Sequence, residues 1–177
     1  DVKTDAEMVK DGSIRFENVF FSYDNQESTA VLRNINMEIE SGMTVGIVGG
    51  TGSSKTTLVQ LIPRLYDVTE GQILVDGVDV RDYKIRELRQ RVAVVLQETI
   101  LFSGTIRDNI RWGKPDATEE EIIAAAKAAQ AHDFIMELPK QYDTELGQRG
   151  INVSGGQKQR ISIARALIQN PAIIIFD

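Results

Sequence analysis

The sequence contains no cysteine. Disulfides and thiolate metal sites are therefore excluded, and nothing points to an oxidising compartment. It also lacks a lysine-arginine block: 20 basic residues against 26 acidic ones give a net charge of −6, the opposite of the basic stripe that marks a nucleic-acid surface. No apolar run approaches the roughly 20 residues that a membrane-spanning helix requires. Runs such as VAVVL and AIIIF are of strand length. The opening segment DVKTDAEMVKDGS is acidic and polar, unlike the basic-then-apolar pattern of a secretory signal, and residues 1–12 read as a linker. Internal repeats and low-complexity tracts are missing too. What remains is an ordinary globular composition, 42% apolar and 26% charged, in a chain long enough for one well-buried core or two small lobes.

The patterning predicts an α/β chain. Alternation in SIRFENVFFSY, from Ser13 to Tyr23, and in LRNINMEI, from Leu32 to Ile39, predicts half-buried strands of an antiparallel sheet. MTVGIV, from Met43 to Val48, is nearly continuously apolar and predicts a strand buried on both faces. KTTLVQLIPRL follows with apolar residues at helical spacing, ended or kinked by Pro63. EGQILVDGVDV predicts a hairpin turning at Asp76-Gly77, then a helix over 85–91 and a strand over 92–96. TEEEIIAAAKAAQA predicts a helix capped by Thr118 with Glu121 three residues on, in a separate helical lobe. A Gly-rich turn, a helix from Gly155 to Gln169 and a strand from Ala172 to Phe176 complete the pattern.

Between the apolar run and the first helix lies Gly49-Gly50-Thr51-Gly52-Ser53-Ser54-Lys55-Thr56-Thr57, close to G-x-x-x-x-G-K-[ST]. Small residues in such a loop let consecutive backbone N–H groups converge on phosphate oxygens at a helix start whose dipole favours anions. Lys55 then reaches the β- and γ-phosphates, and Thr56 offers a hydroxyl to Mg²⁺. Ser54 stands where the pattern has glycine; if the backbone there needs φ > 0, the strain is about 1–2 kcal/mol, which predicts weakened nucleotide binding.

A phosphate loop alone leaves function open. Val153-Ser154-Gly155-Gly156-Gln157, followed by KQRISIARAL, narrows it: the stretch resembles the signature of ATP-binding-cassette (ABC) transporter nucleotide-binding domains, in which a serine caps a helix whose N–H groups face phosphate. The resemblance runs from about Gly12 to Asp177. It implies a P-loop NTPase core with a mixed parallel sheet, an N-terminal antiparallel β subdomain and an inserted α-helical subdomain. Residues 13–97 then form the core part with the phosphate loop, 98–154 the glutamine loop and helical subdomain, and 155–177 the signature helix and Walker B strand.

Residue by residue, Tyr23 resembles the aromatic that stacks on adenine. Gln97 resembles the glutamine that ligates Mg²⁺ and links the nucleotide to the transmembrane partner. Asp177 resembles the Walker B aspartate that holds Mg²⁺ through water. Ser154, Gly155, Gly156 and Gln157 correspond to the signature that covers ATP held by the phosphate loop of a second domain. TELGQRG, from Thr144 to Gly150, and LFSGTIRDNI are similar to exporter stretches, with Gln148 where the family usually has glutamate.

The implied protein is an ATP-hydrolysing motor of an ABC exporter at the cytoplasmic face of the cell membrane. Its cofactors are ATP and Mg²⁺, and its partners are transmembrane domains on the same or a separate chain and a second nucleotide-binding domain. The alternative is a non-catalytic half of a heterodimer. The family's general-base glutamate and switch histidine come after the position of Asp177, so this chain by itself is expected to be inactive. His132 and Trp112 are expected to be packing or surface residues, and the Glu119–Glu121 run a solvated helix start.

Overall fold

A computed structural model describes residues 8–147 and 153–177. It divides into two compact units, residues 1–92 and 93–177.

In the first unit, β1 (Ile14–Phe21) lies between β2 (Leu32–Ile39) and β3 (Glu70–Val75), and β3 continues into β4 (Val78–Asp79). All these pairings are antiparallel, with Ile14 opposite both Ile39 and Val75 and Phe16 opposite Met37 and Ile73. The alternation of β1 does what it predicts: Ile14, Phe16, Val19 and Phe21 are buried, because side chains two apart share a face of the pleat. The pairing shifts register after Phe16 on one side and after Glu17 on the other, where Asn18 takes a positive φ of 47°; asparagine tolerates that conformation, and the resulting bulge bends the strand. The hairpin turns at Asp76 and Gly77, both with φ > 0, as a two-residue connection matched to strand twist requires. Two helices complete the unit, α1 (Lys55–Gln60) and α2 (Ile85–Arg91). α1 stops before Pro63, whose ring cannot continue a helix.

The apolar run Met43–Val48 does not form a strand. It is exposed throughout, to 98% at Val48, and pairs with no strand among the described residues. An apolar pattern specifies a buried strand only where neighbouring strands take up its N–H and C=O groups, and no such ladder is present here.

In the second unit, β5 (Val92–Val95) pairs with β8 (Ile173–Phe176). The Asp177 N–H donates to the Val95 carbonyl at 3.0 Å, so both strands end side by side, as parallel neighbours do. A small ribbon, β6 (Gly104–Thr105) against β7 (Glu145–Leu146), accompanies the helices α3 (Ile106–Arg111), α4 (Glu119–Ala128), α5 (His132–Glu137) and α6 (Gly155–Leu167). Their shared core contains Ile106, Ile110, Ile122, Ala126, Ile135 and Ile161, while Ala166 of α6 packs with Ala93 and Val95 of β5. Ala125 and Ala126 of α4 and Ala164 of α6 are buried together in that core. The expected cap is present: the Thr118 hydroxyl accepts from the Glu121 N–H, and the Glu121 carboxylate accepts from the Thr118 N–H at 2.9 Å.

Candidate functional site

The loop 49–54 ends in Ser54, which sits in the left-handed region at φ 61°, ψ 25° and opens α1 without capping it through its side chain. Ser54 thus adopts the conformation that glycine takes without strain. The Lys55 ammonium folds over the loop and donates to the Gly49 carbonyl at 2.7 Å, the Gly50 carbonyl at 3.0 Å and the Ser53 hydroxyl at 3.1 Å. The approach is close: a Cβ on Gly49 would lie 2.5 Å from the Ser53 Oγ. Thr51 and Gly52 form the exposed crest of the loop, and Thr56 is exposed on the first turn of α1.

Thr57 is buried, and its hydroxyl meets the Tyr23 hydroxyl at 2.7 Å. Tyr23 is more than half exposed, with its ring edge-on to Phe21 and Tyr66 at 4.9 and 5.3 Å. An aromatic face open to solvent is thereby fixed beside the phosphate-loop helix. The turn behind it is held by Asp24, whose carboxylate accepts from the Ser22 and Thr29 hydroxyls and from the Gln26 N–H at 3.1 Å. These bonds, the Ser22 hydroxyl foremost, hold the Asp24 carboxyl below its ordinary value. Asp24 was missed by sequence reasoning; an Asp two residues before a turn amide is an Asx-turn signal that could have revealed it.

In the second unit, Val153 is buried in the helical core and places Ser154 at the start of α6. The Ser154 hydroxyl accepts from the Gln157 N–H at 3.2 Å, and the Gln157 side-chain oxygen accepts from the Ser154 N–H at 3.0 Å, a reciprocal capping box. Gly155 and Gly156 are exposed, with nothing within 4 Å of where a Cβ would stand. Gln97 lies exposed just beyond β5, and Asp177 just beyond the neighbouring end of β8. Gln148, Arg149 and Gly150 of the TELGQRG stretch lie outside the described residues.

The charges at the helix starts separate into two classes. α2, α3, α4 and α5 each carry an acidic residue in the first turn: Glu87, Asp108, Glu119 to Glu121 and Asp133. α1 and α6 carry none. A carboxylate in the first turn neutralises the positive end of the helix; among the described α-helices, the glycine-rich loop and the Ser-Gly-Gly turn open the two starts that lack one.

The remaining singletons behave differently from one another. The His132 Nδ1 meets the Tyr142 hydroxyl at 2.8 Å, a packing role as expected. Trp112 is two-thirds exposed and lies against Phe102 with ring centroids 4.6 Å apart. The Glu119–Glu121 run is more than solvated: Glu119 pairs with Arg107 at 2.8 Å and Glu121 with Lys114 at 2.6 Å.

Thr56 in the first unit, and Gln97 and Asp177 in the second, each carry an oxygen donor of the kind that hard cations take. Among the described residues no group of three or more His, Cys, Asp or Glu side chains is placed to hold a metal ion.

The chain is similar to known proteins over most of its length. The chain is 55% identical over 166 residues to the putative multidrug export ATP-binding/permease protein YgaD of Bacillus subtilis, covering 94% of this chain and 28% of that protein. It is 52% identical over 169 residues to a putative multidrug export ATP-binding/permease protein of Staphylococcus aureus, covering 96% and 29%. A solved structure, a bacterial Atm1-family ABC exporter with ATP bound, superposes with a TM-score of 0.87 at 43% identity over 97% of this chain and 30% of that one. The chain thus spans less than a third of the length of these relatives. Residues 32–177 match the family described as ABC transporter, and the chain belongs to that family.

Proposed function

We propose that this chain is the ATP-binding and ATP-hydrolysing motor domain of an ABC exporter, driving solute across a membrane by nucleotide-dependent pairing of two such domains. The observation that carries the reading is the pair of helix starts free of first-turn acid, one led by a lysine loop and the other by a capped Ser-Gly-Gly turn. A relative of known structure is an exporter with ATP bound, which supports the same ligand.

In this reading Lys55 is catalytic. Its ammonium exchanges the Gly49 and Gly50 carbonyls and the Ser53 hydroxyl for β- and γ-phosphate oxygens, and it neutralises charge as the bond to the γ-phosphoryl group breaks. Backbone N–H groups of residues 49–57 orient the phosphates. Tyr23 offers its open ring face to adenine, a contact tolerant of exact registry because stacking is broad. Ser154, Gly155, Gly156 and Gln157 cover the triphosphate held by the second domain. Thr56, Gln97 and Asp177 would hold Mg²⁺, which would supply charge neutralisation for the triphosphate. Gln97 passes the state of the nucleotide to transmembrane domains, on the same or a separate chain, and the same reading puts the domain at the cytoplasmic face of the membrane. No helix among the described residues is long and apolar enough to cross a membrane.

The test is phosphate release from Mg-ATP by the complete protein. Release that Lys55→Ala lowers by roughly 100-fold or more, with the circular dichroism unchanged, supports the motor. A complete, folded protein that neither binds nor hydrolyses ATP refutes it. Ser54, standing in the left-handed region where a glycine is expected, is the one feature that favours a second reading, a non-catalytic nucleotide-binding half of a heterodimer. Binding without turnover in the same assay selects that reading.

A further inference from the structure

The Asp76 carboxylate accepts four successive backbone N–H groups from the segment that precedes β1. Its Oδ2 takes Lys10 at 2.7 Å and Asp11 at 3.0 Å, and its Oδ1 takes Gly12 at 2.7 Å and Ser13 at 3.1 Å. The Asp76 N–H returns a bond to the Ser13 carbonyl at 3.0 Å. The carbonyls of the same segment are held from another side, because the Arg91 guanidinium donates to Val9 at 2.9 Å and to Lys10 at 3.4 Å. The Ser41 hydroxyl donates to the Asp11 carbonyl at 2.6 Å, and Val9 is 1% exposed. Partial burial acts to raise the Asp76 carboxyl, but the four N–H bonds outweigh it and hold the group below its ordinary value.

Such a carboxylate at the tip of a hairpin, gripping consecutive amides, is a charge-assisted clamp. It turns a polar leader of the kind expected to be slack into a strap bound to two elements at once, the β3–β4 hairpin and α2. We propose that the Asp76–Arg91 clamp is a further coupling point, separate from Gln97, at which movement of the nucleotide unit passes to the chain preceding residue 8, and that both side chains are positioning residues for energy transfer rather than for ATP chemistry. The proposal rests on the motor reading. A slack linker absorbs displacement, since its end-to-end distance fluctuates freely. A strap whose N–H and C=O groups are both engaged transmits displacement instead.

The substitution Asp76→Asn isolates the clamp. Asparagine accepts the φ of 52° at this position as readily as aspartate, so the turn survives. One carboxylate oxygen becomes an NH₂ facing two N–H groups, and half of the grip is lost. Hydrogen exchange is followed in the complete protein with and without Mg-ATP. In the wild type the amides of residues 10–13 are protected, and Mg-ATP alters exchange in the chain preceding residue 8. In Asp76→Asn that protection falls and the Mg-ATP-dependent change disappears, while ATP affinity and basal ATP hydrolysis stay within about twofold.

Should Asp76→Asn fail to fold, Arg91→Met, which withdraws the donors to the Val9 and Lys10 carbonyls and leaves the hairpin intact, carries the same expectation. Unprotected wild-type amides at 10–13, or a variant that loses protection yet transmits the Mg-ATP response undiminished, overturns the clamp. A wild type that binds no Mg-ATP overturns the motor reading and the proposal with it, and is recognised by the absent affinity rather than by the exchange pattern.

Discussion

The two glycine-bearing helix starts share a chemistry but not a construction. At α6 the sequence supplies its own order: Ser154 and Gln157 satisfy each other's N–H groups, Val153 is buried in the helical core, and thirteen helical residues follow. At α1 the cap residue is in a left-handed conformation with no side-chain bond to the helix, only six helical residues follow, and the loop is tied mainly by its own lysine. The Ser-Gly-Gly turn is therefore ordered in advance, whereas the glycine-rich loop ties up its one strong cation in contacts that, on the proposed function, a triphosphate would replace. The difference teaches that a glycine-bearing helix start is ordered either by the side chains of its own cap, as at α6, or by a neighbouring cation, as at α1.

The contrast is open to test, beginning with the largest effect. Lys55→Ala removes the cation that organises the loop and greets the phosphates. ATP affinity of the complete protein, read by calorimetry, is expected to fall by roughly 100-fold, with far-ultraviolet circular dichroism unchanged. An affinity that survives places the phosphate elsewhere.

Ser154→Ala strips the prepared start of its cap. It should cost about 1 kcal/mol in urea denaturation, whereas the same assay on Lys55→Ala should show little change. Equal losses in the two variants would erase the distinction between a self-ordered and a ligand-ordered turn.

Ser54→Gly acts in the opposite direction. Relief of the left-handed strain, partly offset by the entropy of glycine, should stabilise by about 0.5 kcal/mol, and ATP should bind about twofold more tightly. An affinity that does not improve shows that Ser54 is not what limits the loop.

The smallest effect is a matter of pH. Asp24, which holds the turn behind Tyr23, is lowered from 3.8 by hydrogen bonds to Ser22, Thr29 and Gln26. A depressed carboxyl stabilises the fold above its unfolded value and loses that contribution as pH falls through the folded one, so the Tyr23 turn should loosen below about pH 3.8. The cap of α6, made of serine and glutamine, has no titrating group. Amide resonances should report this directly: the Gln26 N–H shifts in acid with a midpoint below the ordinary aspartate value, and the Gln157 N–H does not titrate. Equal titration of both would remove the asymmetry.

The elements most readable from sequence were those whose determinants are local. Alternation in β1, the Asp76-Gly77 turn, the stop at Pro63 and the Thr118 and Ser154 caps each depend on residues within a few positions of one another, and each formed where the pattern put it. The apolar run 43–48 was read as a buried strand because periodicity cannot report whether neighbours exist to pair with it; its backbone is without a ladder and its side chains are exposed. The glycine-rich loop and the Ser-Gly-Gly turn were legible as contiguous motifs, and Ser54 takes the left-handed conformation that the sequence left as a condition. What the sequence did not reveal are the supports that bond at long range: Asp76 holding residues more than sixty positions away, Arg91 holding Val9, and Arg107 joining Glu119 to Asp143. No spacing rule encodes such pairs, because the partners meet only once the sheet or the helical core has formed.

The central claim is that the two helix starts grip one nucleotide from opposite sides, each belonging to a different copy. Since this chain has no cysteine, a pair introduced as Thr51→Cys and Gly155→Cys in the complete protein, with any cysteine elsewhere replaced, reports their approach by disulfide formation. The account predicts a cross-link between copies that appears with Mg-ATP and vanishes in the added presence of Lys55→Ala. A cross-link indifferent to nucleotide, or none under conditions where Mg-ATP is bound, contradicts it.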